Sequence, residues 1–390
     1  MRIGILTFHS QLNYGGVLQC FALQSVLRSM GHAVYVLDRW LDPDNETLVG
    51  CRRIGLRQFA VFARDLMRLN GVLFTLIRRR KTMAFIRKYI NLTDYHFHKW
   101  QQAPKSLGVD FLVVGSDQVW NCAGPKDPSV YLLRGAPPVR SIAYAASIGM
   151  TGIPDTKKYM YREGLRHFIA ISVRENKAKE LLQEFHCDVK PDIEKVLDPA
   201  ALLADEQWES SLSLRRCHHR KPHMMCYFIG VKVEDVIDKL DRFAKQHDAI
   251  VEMYCSSPRD IRGVSLWRKL RSALKGRVRL MLRNGPREFL ESVLSADWVL
   301  TDSFHAVVFS ALFGKNVRVL APQTEIRRMM FSRIEELEEW LSPSCDFICK
   351  DVESALASFV QKGRTAFDKA RMAQRRKESI SWLRRALTLR

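Results

Sequence analysis

The strongest constraint on the fold is an alternation of short apolar strands with helical stretches, beginning at the second residue. Residues 2–8 form an apolar run of strand length, and Asn13-Tyr14-Gly15-Gly16 makes a tight turn. Residues 17–30 then place Leu18, Phe21, Ala22, Ser25 and Val26 along one helical side. Gly31 stops that helix and residues 33–37 read as a second strand, so the chain opens with a βαβ unit and implies a parallel sheet. Further strands are expected at residues 110–115, 141–145 and 168–173. A second set starts at 224–229 and continues at 250–254, 278–282, 298–301 and 317–320. Helices at 286–294, opened by Pro286, and at 305–313 are interleaved with it. At 390 residues the chain is too long for one core. The predicted fold class is therefore α/β, with two doubly wound Rossmann-like domains facing a cleft. The boundaries read as 1–205 for the first domain, 206–222 for a Pro-, His- and Arg-rich linker, 223–360 for the second domain and 361–390 for a basic C-terminal helix.

Charge refines this picture. Lysine and arginine total 62 against 42 acids, a net +20, but the excess is local. Residues 51–90, a basic helical insertion in the first domain, hold eleven basic residues and the single acid Asp65; residues 362–390 hold ten and two. A uniformly basic nucleic-acid coat would not be divided in this way, and no nucleic acid is expected as a partner. Arg53, Arg57, Arg64 and Arg68 would share one helical face, and the terminal segment mixes arginines with Ile380, Trp382, Leu383 and Leu387. Basic amphipathic helices suit an anionic membrane surface, and a solvated helix packed on the body is the competing expectation. The N-terminus lacks a secretory pattern and no apolar run reaches the ~20 residues of a membrane span, so a cytoplasmic protein is expected. Nine scattered cysteines fit a reducing compartment. Cys217, His218, His219, His223 and Cys226 match no standard zinc spacing and read as linker, leaving no metal site expected.

Ligands of doubly wound sheets bind at the carboxyl ends of strands. Three strand-end turns there are unusually polar. Asn13-Tyr14-Gly15-Gly16 could present backbone N–H groups to an anion or a sugar hydroxyl. Gly115-Ser116-Asp117-Gln118 places a carboxylate at a strand end, with helix capping as the alternative role. Thr301-Asp302-Ser303-Phe304-His305 concentrates an acid, two hydroxyls and an imidazole suited to proton transfer near neutral pH. Arg174 is a cation just past a fourth strand, with an ion pair to Glu175 as its plainer role.

Taken in order, these turns resemble the polysaccharide pyruvyl transferase family. The phrases are Asn13-Tyr14-Gly15-Gly16-Val17-Leu18-Gln19, Val114-Gly115-Ser116-Asp117-Gln118-Val119-Trp120, Tyr144-Ala145-Ala146-Ser147, Ile171-Ser172-Val173-Arg174-Glu175, Leu197-Asp198-Pro199 and Thr301-Asp302-Ser303-Phe304-His305. The resemblance implies a GT-B-like fold, with the first domain on the acceptor side and the second on the donor side. It also implies transfer of a pyruvyl ketal from phosphoenolpyruvate to hydroxyls of a cell-surface polysaccharide, such as an exopolysaccharide, or of its lipid-linked precursor. One branch of the family carries Arg-Leu-His at the third turn, where this chain has Ser303-Phe304-His305. Phosphoenolpyruvate, with a carboxylate and a phosphate, calls for arginine forks. Arg174 is the first candidate and Arg333 the second. His305 is expected as general acid, with Asp117 or Asp302 orienting it or accepting a hydroxyl proton. Ser303, Ser116, Gln118, Asn13, Tyr14, Gly15 and Gly16 complete the expected substrate site, and no cofactor beyond the donor substrate is expected. Rival readings are a GT-B glycosyltransferase using a nucleotide sugar and a non-catalytic saccharide-binding protein of the same fold.

Overall fold

The computed structural model describes residues 1–10, 12–39, 72–123, 127–185, 192–255, 264, 276–322 and 331–389. Arg53, Arg57, Arg64 and Arg68 lie outside the described residues.

Seven parallel strands form the first sheet: β1 (Arg2–Leu6), β2 (Ala33–Arg39), β3 (Leu92–Phe97), β4 (Phe111–Val114), β5 (Arg140–Ala146), β6 (Ala170–Val173) and β7 (Ile193–Lys195). Six form the second: β8 (His223–Phe228), β9 (Ile250–Cys255), β10 (Val278–Leu280), β11 (Trp298–Thr301), β12 (Asn316–Leu320) and β13 (Ile348–Cys349). Their orders are β3-β2-β1-β4-β5-β6-β7 and β10-β9-β8-β11-β12-β13. Both reverse direction beside the first strand of their domain, and these switch points are where ligand crevices form in such sheets.

Strand register explains the layers. Ile3, Ile5, Val34 and Val36 face one side of the first sheet, and Leu6 and Leu37 the other. Met225 and Tyr227 likewise oppose Met224, Cys226 and Phe228 across the second. Only the inner side of each sheet belongs to a core shared by both domains. That shared core holds α1 (Tyr14–Ser29), α3 (Asp205–Leu212), α4 (Pro286–Ser295) and α5 (Phe304–Leu312). Tyr14 stacks on Phe289 with centroids 4.7 Å apart, and Trp208 meets Phe309 edge-on at 5.1 Å. The stretch expected as linker from residue 206 thus begins as a helix whose fully buried tryptophan joins the domains. Further on, His223 pairs with Glu252 and Cys226 sits in the core. Among the described residues no group of His, Cys, Asp or Glu side chains is placed to hold a metal.

The basic segments are structural where they are described. From α2 (Val72–Tyr89), the buried Arg78 donates to Leu12 O and Cys255 O, one in each domain, and lies 4.3 Å over the Tyr14 ring. Lys81 pairs with Glu288. The terminal helix, α6 (Lys369–Thr388), follows a loop pinned by the buried Arg318, which donates to Gly363 O at 2.9 Å and to Thr365 Oγ1. It crosses back to the first domain, where Leu197 N donates to Ser379 Oγ at 3.0 Å and Arg376 Nε to Ala201 O at 2.9 Å. Its apolar stripe, Met372, Trp382, Leu383, Ala386 and Leu387, is buried in the body. The stripe that resembled a membrane face is thus covered by protein, while Lys369, Arg371, Lys377, Arg384 and Arg385 stay exposed. Among the described residues no helix is long and apolar enough to cross a membrane.

Candidate active site

Five strand ends converge on one buried cluster. The turn after β4 brings Ser116 and Asp117, β6 leads into Arg174 and Glu175, and β7 leads to Asp198. β11 leads to Ser303–His305 from the other domain, and β1 leads to the start of α1. Asp117 adopts a left-handed backbone (φ 69°), uncommon for a non-glycine residue and frequent where a site fixes a side chain. The conformation is held by Ser147 N and Val119 N, which donate to Asp117 O at 3.1 and 2.8 Å.

Arg174 is the hub, and its side chain is 1% exposed. Its Nη1 donates to Asp198 Oδ2 at 2.7 Å, with Glu175 Oε2 at 3.4 Å and Asp117 Oδ1 at 3.6 Å. Ser116 Oγ also donates to Asp198 Oδ2 (2.7 Å), and Ala200 N donates to Oδ1 (2.9 Å). Glu175 Oε1 accepts from Ser147 Oγ, Ile148 N and Gly149 N at 2.8–3.0 Å. One guanidinium is therefore enclosed by three carboxylates. Burial opposes its charge, but Asp198, Asp117 and Glu175 together raise its pKa. Arg174, expected to hold a donor anion, is hydrogen-bonded to Asp198 through Nη1, while its Nε and Nη2 make no hydrogen bond and the residue lines the cavity beside the cluster.

His305 approaches this cluster from the second domain. It is 6% exposed, and its buried Nε2 has no hydrogen-bond partner and lies 3.9 Å from Asp198 Oδ1. Burial lowers the imidazole pKa below 6.5, with Asp198 and Asp117 opposing and Arg174 and Arg333 reinforcing, so the ring is neutral at pH 7. Burial would raise the Asp198 carboxyl, but His305, Arg174, Ala200 N–H and Ser116 outweigh it and hold it below 3.8. The carboxylate facing His305 is thus Asp198. Asp302, expected as an orienting acid, turns away to accept from Ile229 N at 2.6 Å and Gly230 N at 2.7 Å.

The glycine turn acts through close approach. A Cβ on Gly15 would stand 2.0 Å from His305 Nδ1, and one on Gly16 would stand 3.2 Å from Asp117 Oδ2. Two bare backbone positions thus let α1 seat against the imidazole and the carboxylate. Gly15→Ala is expected to displace the His305 ring, costing about 1–3 kcal/mol of stability from overpacking. Activity should fall ~10²-fold, as expected for a reacting group moved by about 1 Å. Thermal melts and turnover assays check both.

The remaining expected residues divide. Asn13 Oδ1 caps α1 by accepting from Gly15 N at 3.0 Å. Tyr14, expected on substrate, is 1% exposed in the interdomain core, and its hydroxyl donates to Asn284 O. Ser303 is buried at the start of α5 and its N–H donates to Thr301 Oγ1. Arg333 and Gln118 meet: the Gln118 amide oxygen, turned toward the guanidinium, lies 2.7 Å from Nη1. The Arg174 and Arg333 guanidiniums lie 4.8 and 5.9 Å from the Phe304 ring centre. Burial and the charge of Arg174 lower the Arg333 pKa to about 10. Beside them opens a cavity of about 630 Å³, lined by Arg174, Asp198, Phe304 and Arg333 and by residues of α6. Asp198 carries more of the cluster than its place in Leu197-Asp198-Pro199 suggested. The available signal was an acid following a strand end, the same signal that singled out Asp117.

Two parallel-sheet α/β domains meeting at their strand ends form a GT-B-like fold. The chain is similar in fold to UDP-GlcNAc 2-epimerase from Methanocaldococcus jannaschii, at 12% identity and TM-score 0.54, covering 100% of this chain and 99% of that one. A structure of the M. jannaschii enzyme in complex with UDP-GlcNAc and UDP gives 12% identity and TM-score 0.50, with 98% and 100% covered. A co-structure of S. aureus MnaA with UDP gives 11% and 0.50, with 96% and 90% covered. No curated protein matches the chain. The family model for polysaccharide pyruvyl transferase matches residues 13–324, and the chain belongs to that transferase family.

Proposed function

We propose that the enzyme transfers the pyruvyl unit of phosphoenolpyruvate to two hydroxyls of one sugar in a cell-surface polysaccharide or its lipid-linked precursor. The observation that carries this reading is the neutral, buried His305, whose unpartnered Nε2 faces Asp198 at the meeting of both switch points. In ketal formation two C–O bonds form at the central carbon of the donor, and its bond to the phosphate oxygen breaks. One hydroxyl proton ends on the methylene carbon, making a methyl group, and the other leaves with phosphate. A neutral imidazole suits this bookkeeping: His305 first accepts a hydroxyl proton, its cation stabilised by Asp198, and then returns it to the donor. His305 was expected as general acid; its lowered pKa supports a reading in which it takes a proton before giving one.

Arg333, beside Phe304 and Gln118, is the cation assigned to the donor's carboxylate or phosphate. Arg174 is assigned to positioning Asp198. Asp117 is assigned to the second hydroxyl, and Ser116 to holding Asp198. The exposed basic residues of α6 support a place beside an anionic inner leaflet, reached without insertion, and flotation that ignores lipid charge would remove this part.

The test is phosphate release from phosphoenolpyruvate on addition of a lipid-linked or nitrophenyl sugar. The fold neighbours described with UDP or UDP-GlcNAc favour a second reading, a nucleotide-sugar donor. A thermal-shift comparison decides between the two: stabilisation by UDP-sugars and none by phosphoenolpyruvate would reverse the assignment.

A further inference from the structure

The cavity beside the catalytic cluster has a wall that the donor chemistry leaves unexplained. Its volume of about 630 Å³ sits within the ~300–1,000 Å³ typical of small-molecule sites. Five segments line it: residues 174–176 and the chain from β7 to Asp198 in the first domain, Phe304 and residues 333–340 in the second, and α6. Two of these lie beyond residue 324, where the family match ends. The site is thus built partly from residues outside the family match.

The chemistry of the lining selects among ligands. Among the described residues, six basic and five acidic side chains face the cavity. They are knitted into pairs across the segments: Lys195 with Glu336 at 3.0 Å, Arg375 with Glu339 at 3.7 Å, and Arg385 with Glu194 at 3.8 Å. A site for a diphosphate or a nucleotide would need a clear surplus of cations. Near-balanced pairs instead offer donors and acceptors side by side, which suits a neutral ligand that carries many hydroxyls. Phe304, Trp340 and Trp382 border the cavity with only their edges, each ring being largely buried.

We infer that this cavity binds neutral sugar units of the acceptor next to the one that is modified, and that α6 is the element reading them. The inference rests on the pyruvyl-transfer reading for the word acceptor, but glycan binding itself does not depend on that reaction. Gln374 and Ser381 are exposed, line the cavity and lie two turns apart on one face of α6. Neither belongs to the buried stripe that anchors the helix, so large substitutions there fill the cavity without removing the anchor.

The test uses the full chain on an array of neutral oligosaccharides, with UDP and inorganic diphosphate as competitors. Wild type is expected to retain a subset of glycans of two or more sugars, undisplaced by either competitor. Gln374→Trp and Ser381→Trp should each weaken that binding at least tenfold with unchanged circular dichroism and melting. Retention of no neutral glycan, full binding in both folded variants, or displacement by UDP or diphosphate would overturn the inference. Thermal shift by phosphoenolpyruvate, read on the same samples, separates the two ideas: its absence alongside variant-sensitive glycan binding would fail the donor assignment and leave this site standing.

Discussion

His305→Ala is expected to lose ~10²–10⁴ of the transfer rate while the domains stay closed, the range attributed to positioned proton transfer. The ring packs over Gly15 and contributes its Nε2 to no hydrogen bond, so its removal leaves no structural bond broken at that atom. Its pH signature is equally specific. Burial holds the folded pKa below 6.5, so a rate that needs neutral imidazole should have its acid limb below that value. Asp198→Asn removes an anion that favours the imidazolium, and the limb should move further down. Stopped assays of phosphate release across pH 4–8 would read both effects; wild-type turnover in folded His305→Ala would remove it from catalysis.

Replacing Asp198 by alanine is expected to be the most destabilising single change in the cluster. It strips Arg174 of its shortest ion pair inside the protein, and breaking a buried pair typically costs ~3–5 kcal/mol. Asp117 and Glu175 remain beside the guanidinium, which places the expected loss near the lower end, about 3 kcal/mol. Denaturant unfolding of Asp198→Ala and Asp198→Asn measures it, with the asparagine losing less because its amide oxygen can still accept from Ala200 N–H. Acid should act in the same direction in two stages. As pH falls from 6.5, His residues of the unfolded chain gain protons before folded His305 does, so its contribution fades there. The contribution of Asp198 is fully present above 3.8 and disappears as pH falls through its depressed folded value. His305→Ala should diminish the first stage and, since His305 helps to hold the Asp198 carboxyl below 3.8, weaken the second as well.

Central strands of both sheets were legible because they are buried on both faces and therefore read as continuous apolar runs. Of the four edge strands among the described residues only β10 was, at residues 278–282. β3 alternates exposed and buried residues, while β7 and β13 have three and two residues. Tyr14 illustrates a different failure. It sits inside a turn whose neighbours approach His305 and Asp117, yet its own ring is spent on Phe289 between the domains. The apolar stripe of α6 has the same pattern whether lipid or protein covers it, since amphipathicity records a covered face and not the cover.

By itself the sequence determined two parallel α/β domains and the polar turns that carry the chemistry. Strand periodicity and turn composition are local properties, readable within a few residues. Only the tertiary structure decided which carboxylate faces His305. Asp302 is three residues away in sequence but caps Ile229 and Gly230. Asp198 belongs to the other domain and arrives through its bonds to Ser116 and Arg174. A side chain's direction past a strand end is set by what packs around it, and here those neighbours come from both halves of the chain.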